Sequence, residues 1–220
     1  MTIEQEPKVK EILSEEARQK KSRIYDISED NLNFKEKAGK YIDFLNANAY
    51  DKERDVRTNI AGEFQKSNLA AALQTAELIC GRLDEDKIYE ALSQIRISGR
   101  MEEIAPGIIV DVSHNIQGMQ GFVQTVEANY HGMKKRILFA ASHQNEEEYM
   151  KNILKTIPEI EAFYTVGIHK RRIDEAEFQD AFRKMIDRNQ ETTVCFVVGS
   201  FYLAGMAKEF INQEEENVRF

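Results

Sequence analysis

Four short apolar runs in the second half of the sequence constrain the fold most strongly. Each run is rich in β-branched and aromatic residues and precedes a segment whose apolar residues recur at helical spacing. The runs are residues 107–112 (GIIVDV), 136–141 (RILFAA), 162–168 (AFYTVGI) and 192–198 (TTVCFVV). Strands without polar alternation, separated by helices, are typical of a parallel sheet covered on both faces. The pattern therefore predicts an α/β domain with a Rossmann-like, doubly wound parallel sheet over residues 97–220.

The helices predicted between and after these strands cover residues 117–130, 146–156, 174–189 and 201–213. Asp174 is the expected N-cap of the third helix, and Glu177 three residues later completes a capping-box pattern. The acidic segment 212–217 is expected to fray, because chain ends are poorly ordered unless other elements hold them.

The first half of the sequence has a weaker pattern. Residues 8–20 predict an exposed, charged helix, and residues 22–27 and 40–47 predict short strands. Residues 68–80 (NLAAALQTAELIC) predict a strong helix, and residues 86–93 predict another. So few elements make a poor core of their own, so residues 1–96 are interpreted as the remnant of a larger domain or as an appendage.

Composition excludes several classes of protein. The 220 residues are 42% hydrophobic and 31% charged, which is ordinary for a globular chain. The net charge of −8 disfavours a nucleic-acid partner, and the basic runs 134–136 and 170–172 are interpreted as solvated loop ends. We expect a cytoplasmic protein without a membrane segment, because no apolar run approaches the ~20 residues needed to span a bilayer. The two cysteines are far apart in sequence, so we expect no metal site.

The sharpest candidate for chemistry follows the first strand of the α/β domain, in the sequence Asp111-Val112-Ser113-His114-Asn115. Ligands collect beyond the carboxyl ends of parallel strands, where this Asp and His could face one pocket. The Asp could orient a cationic group, and the His could bind phosphate or transfer a proton. The alternative is that Asp111 or Ser113 caps the next helix and His114 is an exposed loop residue.

Three further segments could contribute to the same pocket. Arg100, in the segment GRME before the first strand, could bind an anion. Gln65 and Asn68 precede the Ala-rich helix and could contact a ligand with their amides, although Asn68 could instead cap that helix. Gly199 permits a tight turn after the last strand, and Ser200 could cap the last helix or bind an anionic group.

The order of these segments resembles the folylpolyglutamate synthase and dihydrofolate synthase family, within the wider group of ATP-dependent ligases that includes the Mur ligases. The matching patterns are G-x-x-Q-x-x-N, G-R-x-E, D-x-x-H-N and G-S-x-Y-L-x-G, in that order along nearly the whole chain. The resemblance is to the C-terminal half of the family. It implies that residues 1–96 are a remnant of the central ATP-binding ligase domain and that residues 97–220 are the C-terminal α/β domain.

The resemblance implies a role for each matching position. Asn68 and Arg100 match residues that bind the nucleotide, Asp111 and His114 match catalytic residues, and Ser200 and Tyr202 match residues near the incoming glutamate. The implied reaction activates a folate carboxylate with ATP and Mg²⁺, after which the glutamate amine displaces phosphate. Such chemistry depends on positioning and charge stabilisation.

The sequence departs from the family at several positions. Val112 replaces a glycine, and a β-branched residue resists the left-handed backbone that glycine allows. Phe64 replaces a histidine, and residues 143–145 (HQN) replace an Asp-Lys-Asp turn. The sequence contains no G-x-x-x-x-G-K-[ST] motif, so the main elements for binding ATP and Mg²⁺ are missing from it.

Three hypotheses follow. The first is a truncated ligase half, which is a fragment, a degenerate paralogue or one subunit of a split enzyme, and which is inactive alone or needs a partner. The partner expected is an N-terminal ligase half, or a second copy of the chain through self-association. The second is a non-catalytic binding or regulatory protein that reuses the fold, favoured by Val112, Phe64 and His143. The third is an unrelated α/β binding domain whose motifs agree by chance.

Overall fold

A computed structural model describes residues 2–3, 6–27, 33–34, 43–45, 55–58, 60–62, 65–81, 83–169, 172–187 and 192–218. By its internal contacts the chain divides into two compact units, Met1–Arg96 and Ile97–Phe220. Within the described ranges, no helix has the length and apolar character required to cross a membrane.

The first unit contains short strands and three helices among its described residues. In chain order they are β1 (Thr2–Ile3), α1 (Pro7–Gln19), β2 (Asp26–Ile27), β3 (Asn33–Phe34), β4 (Asp43–Leu45), β5 (Asp55–Arg57), α2 (Gln65–Cys80) and α3 (Glu85–Gln94). Strands β1 and β2 pair in parallel, and β3, β4 and β5 form an antiparallel sheet. The strand predicted over 22–27 is only two residues long, because just Asp26 and Ile27 pair with β1. Part of the strand predicted over 40–47 lies outside the described residues.

The helices of the first unit bury little apolar surface. Leu69 and Ala70 of α2 pack with Leu92 of α3 in a small buried cluster. Helix α1 begins at Pro7, a favoured first helical residue, and has no buried residue. It is the exposed, charged helix that the sequence predicts. Near the end of α2, Ile79 is 78% exposed, so the apolar residues of this unit are only partly covered.

The second unit contains a central sheet and four α-helices among its described residues. Its elements are β6 (Glu102–Ala105), β7 (Ile108–Asp111), α4 (Ile116–Asn129), β8 (Lys134–Phe139), α5 (Glu147–Leu154), β9 (Ile160–Thr165), β10 (Ile168–His169), β11 (Arg172–Ile173), α6 (Glu175–Ile186), β12 (Thr193–Val198) and α7 (Phe201–Val218). A 3₁₀ turn, Gln144–Glu146, precedes α5. Helix α7 extends through the acidic segment 212–217, and the fraying of this segment stays a prediction.

The five-stranded sheet has the order β6-β7-β12-β8-β9. Strands β7, β12, β8 and β9 are parallel, which confirms the predicted fold class. Strand β6 pairs antiparallel with β7 at one edge and was not predicted. Its residues are only partly buried, so it lacks the continuous apolar pattern that revealed the parallel strands.

Both faces of the sheet are covered by helices. Cys195 and Val197 of β12 lie in a buried apolar cluster with side chains of α6 and α7. Phe196, which points to the opposite face, makes edge-on ring contacts with Phe122 and Tyr130 of the α4 region at 5.5 and 5.2 Å. Side chains alternate between faces along a strand, which explains why β12 is buried throughout.

The central strand β12 ends at a topological switch point. The chain leaves the flanking strands β7 and β8 into α4 and α5, which pack against each other. It leaves β12 into α7, which packs with α6 on the other face. In open α/β sheets, ligands bind at the carboxyl ends of strands where the direction of winding reverses. The fold therefore directs attention to the turns that follow β7 and β12.

Candidate active site

The turns that follow β7 and β12 are adjacent in the structure. Asp111 is the register partner of Val198, so the two strands end side by side. The Gly199 amide donates a hydrogen bond to the Asp111 carbonyl at 3.3 Å. The structure thus brings together two of the segments that the sequence singled out.

Asp111 is buried and holds two neighbouring segments. Its Oδ2 accepts from the Met101 amide at 3.0 Å. Its Oδ1 accepts from the Ser113 amide at 2.8 Å and from the Ser113 hydroxyl at 2.6 Å. Burial raises the pKa of the Asp111 carboxyl, although these hydrogen bonds and the charge of Arg100 act in the opposite direction. Both carboxylate oxygens therefore accept hydrogen bonds from within the protein. Through them Asp111 joins the segment of Met101 to the turn of Ser113.

The helix after this turn is capped by Asn115, not by Asp111 or Ser113. The Asn115 Oδ1 accepts from the Gly118 amide at 2.7 Å, which satisfies one of the amides that lack a partner at a helix start. The alternative that Asp111 or Ser113 caps α4 is therefore wrong, because both are used by the bond between them.

His114 is partly buried at the same edge. Its Nδ1 lies 3.0 Å from the Val112 carbonyl. A carbonyl only accepts, so we assign the proton of the neutral ring to Nδ1 and the acceptor role to Nε2. The ring centroid lies 5.5 Å from that of Phe201, the first residue of α7. His114 is thus oriented from both sides and is not the fully exposed loop residue of the alternative interpretation.

Val112 is not in the left-handed region, so its β-branched side chain causes no backbone strain there. In the neighbouring segment Gly99 and Met101 are left-handed, with φ of 70° and 46°. A Cβ added to Gly99 would lie 2.7 Å from Val112 Cγ1. The Val112 side chain therefore occupies the space beside Gly99, and a glycine is required at 99 in this structure.

Arg100 is partly buried in the segment that Asp111 holds. Its charge lies near enough to Asp111 to oppose the effect of burial on the pKa of that carboxyl. The neighbouring Glu102 accepts from the Gly99 amide at 2.6 Å and pairs with Lys208 Nζ at 2.6 Å. The loop that carries the guanidinium is therefore fixed at several points.

Ser200 and Tyr202 open the last helix. The Ser200 hydroxyl is buried and accepts from the Tyr202 amide at 3.1 Å, so it caps α7. The Tyr202 side chain is 43% exposed. Gly199 has φ of 107°, and a Cβ there would lie 2.5 Å from the Ala140 carbonyl. The close approach of three strand ends thus requires glycine at this turn.

Asn68 belongs to the first unit. It lies inside α2, which begins at Gln65, so the alternative that it caps this helix is wrong. Its Nδ2 donates to Gln65 Oε1 at 2.9 Å. Asn68 is exposed and Gln65 is buried, so this bond orients the asparagine amide. Phe64 lies outside the described residues.

Sequence reasoning missed three contributors to this edge. Ser142, after β8, donates to the Gly199 carbonyl at 3.3 Å. Met101 presents its amide to Asp111, and Lys208 reaches the Arg100 loop from α7. Ser142 could have been found from the sequence, because it follows a predicted parallel strand. No sequence pattern pairs Lys208 with Glu102. Within the part of the chain that the structure describes, no group of three or more His, Cys, Asp or Glu could hold a metal ion.

Chemically, the partly accessible groups at this edge are a guanidinium, an imidazole and a phenol, from Arg100, His114 and Tyr202. The first turns of α4 and α7 begin at the same edge, and helix N-termini favour negative charge. The arrangement can bind an anion and exchange a proton next to it.

No protein-family model matches the sequence, and no curated protein does. Solved structures do match. A complex of folylpolyglutamate synthase with AMPPCP and folate superposes with a TM-score of 0.77 at 19% identity, over 96% of this chain and 52% of that one. The synthase from Thermotoga maritima gives 0.69 at 22% identity, over 96% and 53%. The Mycobacterium tuberculosis enzyme, complexed with ADP and AMPPCP, gives 0.65 at 17% identity, over 94% and 54%.

The chain has the fold of half a folylpolyglutamate synthase. It spans about half the length of the structures it matches, and at these identities the similarity concerns the fold alone. The resemblance that the motif order indicates, to the C-terminal half of that family, is thereby confirmed as a likeness of fold.

Proposed function

We propose that this chain is the C-terminal half of a folylpolyglutamate-synthase-type ligase, and that it adds glutamate to folate only together with a segment that carries a P-loop. The observation that carries the proposal is the meeting of the Asp111–His114 turn and the Gly199–Ser200 turn at the switch point of the sheet. In this proposal the first unit is the trailing part of the ATP-binding domain, and the second is the C-terminal domain of a cytoplasmic ligase.

The ligands proposed are ATP with Mg²⁺, folate and glutamate. Synthases of this fold have been solved with AMPPCP and folate, and with ADP and AMPPCP. Taken separately, the Arg100 guanidinium of the second unit has the chemistry to bind phosphate, and the Asn68 amide of the first unit has the chemistry to donate to a base or ribose. ATP would supply the phosphoryl group that activates the folate carboxylate. The described residues offer no ligand set for Mg²⁺, so no step is assigned to that ion.

Each residue of the candidate site has a distinct proposed role. Arg100 binds a phosphate oxygen and offsets negative charge that develops during transfer. His114, oriented through Nδ1, donates or accepts a proton through Nε2 as the glutamate amine displaces phosphate. Asp111 positions the two segments and does not touch substrate, because its oxygens are engaged inside the protein. Ser200 caps α7 and so places Tyr202 toward the glutamate.

A partner is consistent with the uncovered apolar residues of the first unit. Ile12 of α1 is 61% exposed, and Leu78 and Ile79 of α2 are 50% and 78% exposed. Contiguous exposed apolar residues mark interaction surfaces, and Leu78 and Ile79 are consecutive in α2. We propose that an N-terminal ligase half covers them, and that in its absence a second copy of the chain does.

Calorimetric titration of the 220-residue chain with AMPPCP, folate and glutamate tests the proposal. We expect measurable AMPPCP binding that Arg100→Ala weakens about tenfold, the loss of a charge-assisted hydrogen bond. The same titrations are made with His114→Ala. Its matched control is His143→Ala, which removes an exposed histidine after β8. Folate elongation by the chain with only ATP, glutamate and Mg²⁺ added would contradict the need for a P-loop segment.

The alternative is a regulatory protein that binds the same ligands without catalysis. The inward orientation of Asp111 and the presence of Val112 favour it, because neither contributes a group to the cleft. Addition of the P-loop half of a folylpolyglutamate synthase discriminates between the two. Ligation that depends on His114 supports the enzyme half, whereas ligand binding that stays unproductive in that mixture supports the regulatory protein.

A further inference from the structure

Helix α7 contacts the Arg100 loop through one lysine. Lys208 lies two turns beyond the start of α7 and contacts two residues of the loop 98–102. Its Nζ lies 2.6 Å from Glu102 Oε2 and 2.6 Å from the Ser98 hydroxyl. The lysine and glutamate side chains are 29% and 32% exposed, so solvent screens this pair less than a fully exposed one.

The oxygen that pairs with Lys208 also holds the backbone of the loop. Glu102 Oε2 accepts from the Gly99 amide at 2.6 Å, so one oxygen is shared by the ammonium and the amide. Desolvation raises the pKa of Glu102, but the hydrogen bonds from Lys208 and Gly99 outweigh it and lower that pKa overall. Glu102 is therefore ionised at neutral pH, and its Oε2 contacts both Lys208 and the backbone beside Arg100.

The loop has a backbone conformation that needs support. Gly99 and Met101, on either side of Arg100, are both left-handed, with φ of 70° and 46°. A non-glycine residue in that region is held there by surrounding contacts. Here the Gly99 carbonyl accepts from the Val112 amide at 2.8 Å, and the Met101 amide donates to Asp111 at 3.0 Å. The Arg100 amide donates to the Ile97 carbonyl at 3.2 Å, and Glu102 adds a contact on the Gly99 amide.

We propose that Lys208 is a positioning residue for Arg100, acting through Glu102 on the conformation of residues 98–102. The same helix carries Ser200 and Tyr202 at its start, so α7 ties the anion-binding arginine to the turn after β12. The proposal deepens the proposed function, because it rests on Arg100 as the residue that binds the nucleotide. It differs from an ordinary surface ion pair, whose removal changes little, because the paired oxygen also bonds the backbone.

The first test measures hydrogen exchange at residues 98–102 in the full chain. Lys208→Ala should speed exchange of the Gly99 and Met101 amides about tenfold, because loss of a tether favours local opening. Lys208→Arg should restore protection. Lys151→Ala is the matched control, since Lys151 pairs with Glu147 at the same 2.6 Å with side chains 21% and 38% exposed. Unchanged exchange in Lys208→Ala would overturn the proposal.

The second test asks whether Lys208 acts through Arg100, by a double-mutant cycle on AMPPCP affinity. Lys208→Ala should weaken binding about fivefold in the natural background and have no further effect in Arg100→Ala, as expected for coupled residues. Equal weakening in both backgrounds would overturn the proposal, because Lys208 would then act independently of Arg100. If the natural chain binds no AMPPCP even when the P-loop half of a folylpolyglutamate synthase is added, the proposed function fails, and the role of Lys208 in nucleotide binding fails with it. Hydrogen exchange then still decides whether Lys208 holds residues 98–102 in place.

Discussion

The two ends of the parallel sheet each bury a charged side chain, and they do so in opposite ways. At the amino ends of the strands, Lys135 is fully buried and pairs with Glu159 at 2.9 Å. The interpretation of the basic run 134–136 as a solvated loop end is therefore wrong, because these residues begin strand β8. At the carboxyl ends, Asp111 is 1% exposed and accepts hydrogen bonds from uncharged donors. The hydrogen bond from Lys135 lowers the pKa of Glu159, whereas burial raises that of Asp111.

The difference distinguishes a charge that serves only the structure from a charge at the candidate active site. The Lys135–Glu159 pair neutralises its own charge and lets the glutamate remain half exposed to water. Burial of Asp111 disfavours its ionised form, but its hydrogen bonds fix both the Arg100 loop and the His114 turn. Costs of this kind are concentrated at functional sites, where the geometry they maintain is needed.

The largest expected effect comes from comparing glycines at the two ends. Gly199→Ala should lower the free energy of unfolding by about 3–4 kcal/mol, because strain at positive φ adds to overpacking. Its Cβ would meet the Ala140 carbonyl at 2.5 Å and the Phe139 ring at 2.6 Å. Gly132, with φ of 75° before β8, has open space around it, so Gly132→Ala should cost only about 1–2 kcal/mol.

Urea unfolding of the two variants measures this difference. Similar losses in both would show that the carboxyl end is not packed more tightly than the amino end.

The second prediction concerns the charge pair at the amino end. Glu159→Gln should destabilise the protein more than Lys135→Met, because it leaves a buried ammonium opposite a neutral amide. Lys135→Met keeps most of the side-chain volume and removes the buried charge, so it should cost less than about 1.5 kcal/mol. Unfolding free energies of the two variants at neutral pH decide the order. A larger loss in Lys135→Met would mean that Lys135 stabilises the protein through more than its pairing with Glu159.

The third prediction concerns the hydroxyl that supports Asp111. Ser113→Ala removes a 2.6 Å hydrogen bond to a buried carboxylate and should cost about 1–2 kcal/mol. Ser142→Ala is the control, since its bond to the Gly199 carbonyl is longer, 3.3 Å, and involves no charge. Equal losses in thermal or urea unfolding would argue against a special dependence of Asp111 on Ser113.

Much of the fold of the second unit could be predicted from the sequence, because continuous apolar runs report burial on both faces of a sheet. Strand β12, predicted over 192–198, covers Thr193–Val198, and helix α4, predicted over 117–130, covers Ile116–Asn129. Helix α6 begins after the expected cap, since the Asp174 side chain accepts from the Glu177 amide. Glu177 completes no capping box, because its carboxylate accepts from the Gly167 amide instead. Strand β6 was missed because its half-buried residues carry no such pattern.

The location of the candidate site could be predicted from the sequence, but the directions in which its side chains point could not. Parallel strands bring their carboxyl ends to one edge, which is enough to place Asp111 near Ser200. Whether a carboxylate points into a cleft or into the protein depends on donors elsewhere, here the Met101 amide. The ion pair between Glu102 and Lys208 joins residues far apart in sequence, and no local pattern encodes it.

The smallest effect, and the one that sharpens the comparison most, is the pH dependence of stability. A carboxyl whose pKa is raised by folding binds more protons in the folded state, so its contribution to stability falls as pH rises from the unfolded pKa through the folded one. For Asp111 that window lies above the ordinary aspartate range. Asp111→Asn loses hydrogen bonds, but its amide does not titrate, so this loss is a constant offset.

The unfolding free energy of the natural chain relative to Asp111→Asn should therefore decrease with rising pH in that window, by at most about 1.4 kcal/mol per pH unit, and then level off. Relative to Glu159→Gln the sign reverses. The pKa of Glu159 is lowered, so its contribution is present above the unfolded glutamate pKa and is lost as pH falls through the folded one. Urea titrations between pH 3 and 8 compare the two slopes. Slopes of the same sign would mean that the carboxyl and amino ends of the sheet treat their charges alike, and the contrast between a functional and a structural charge would not hold.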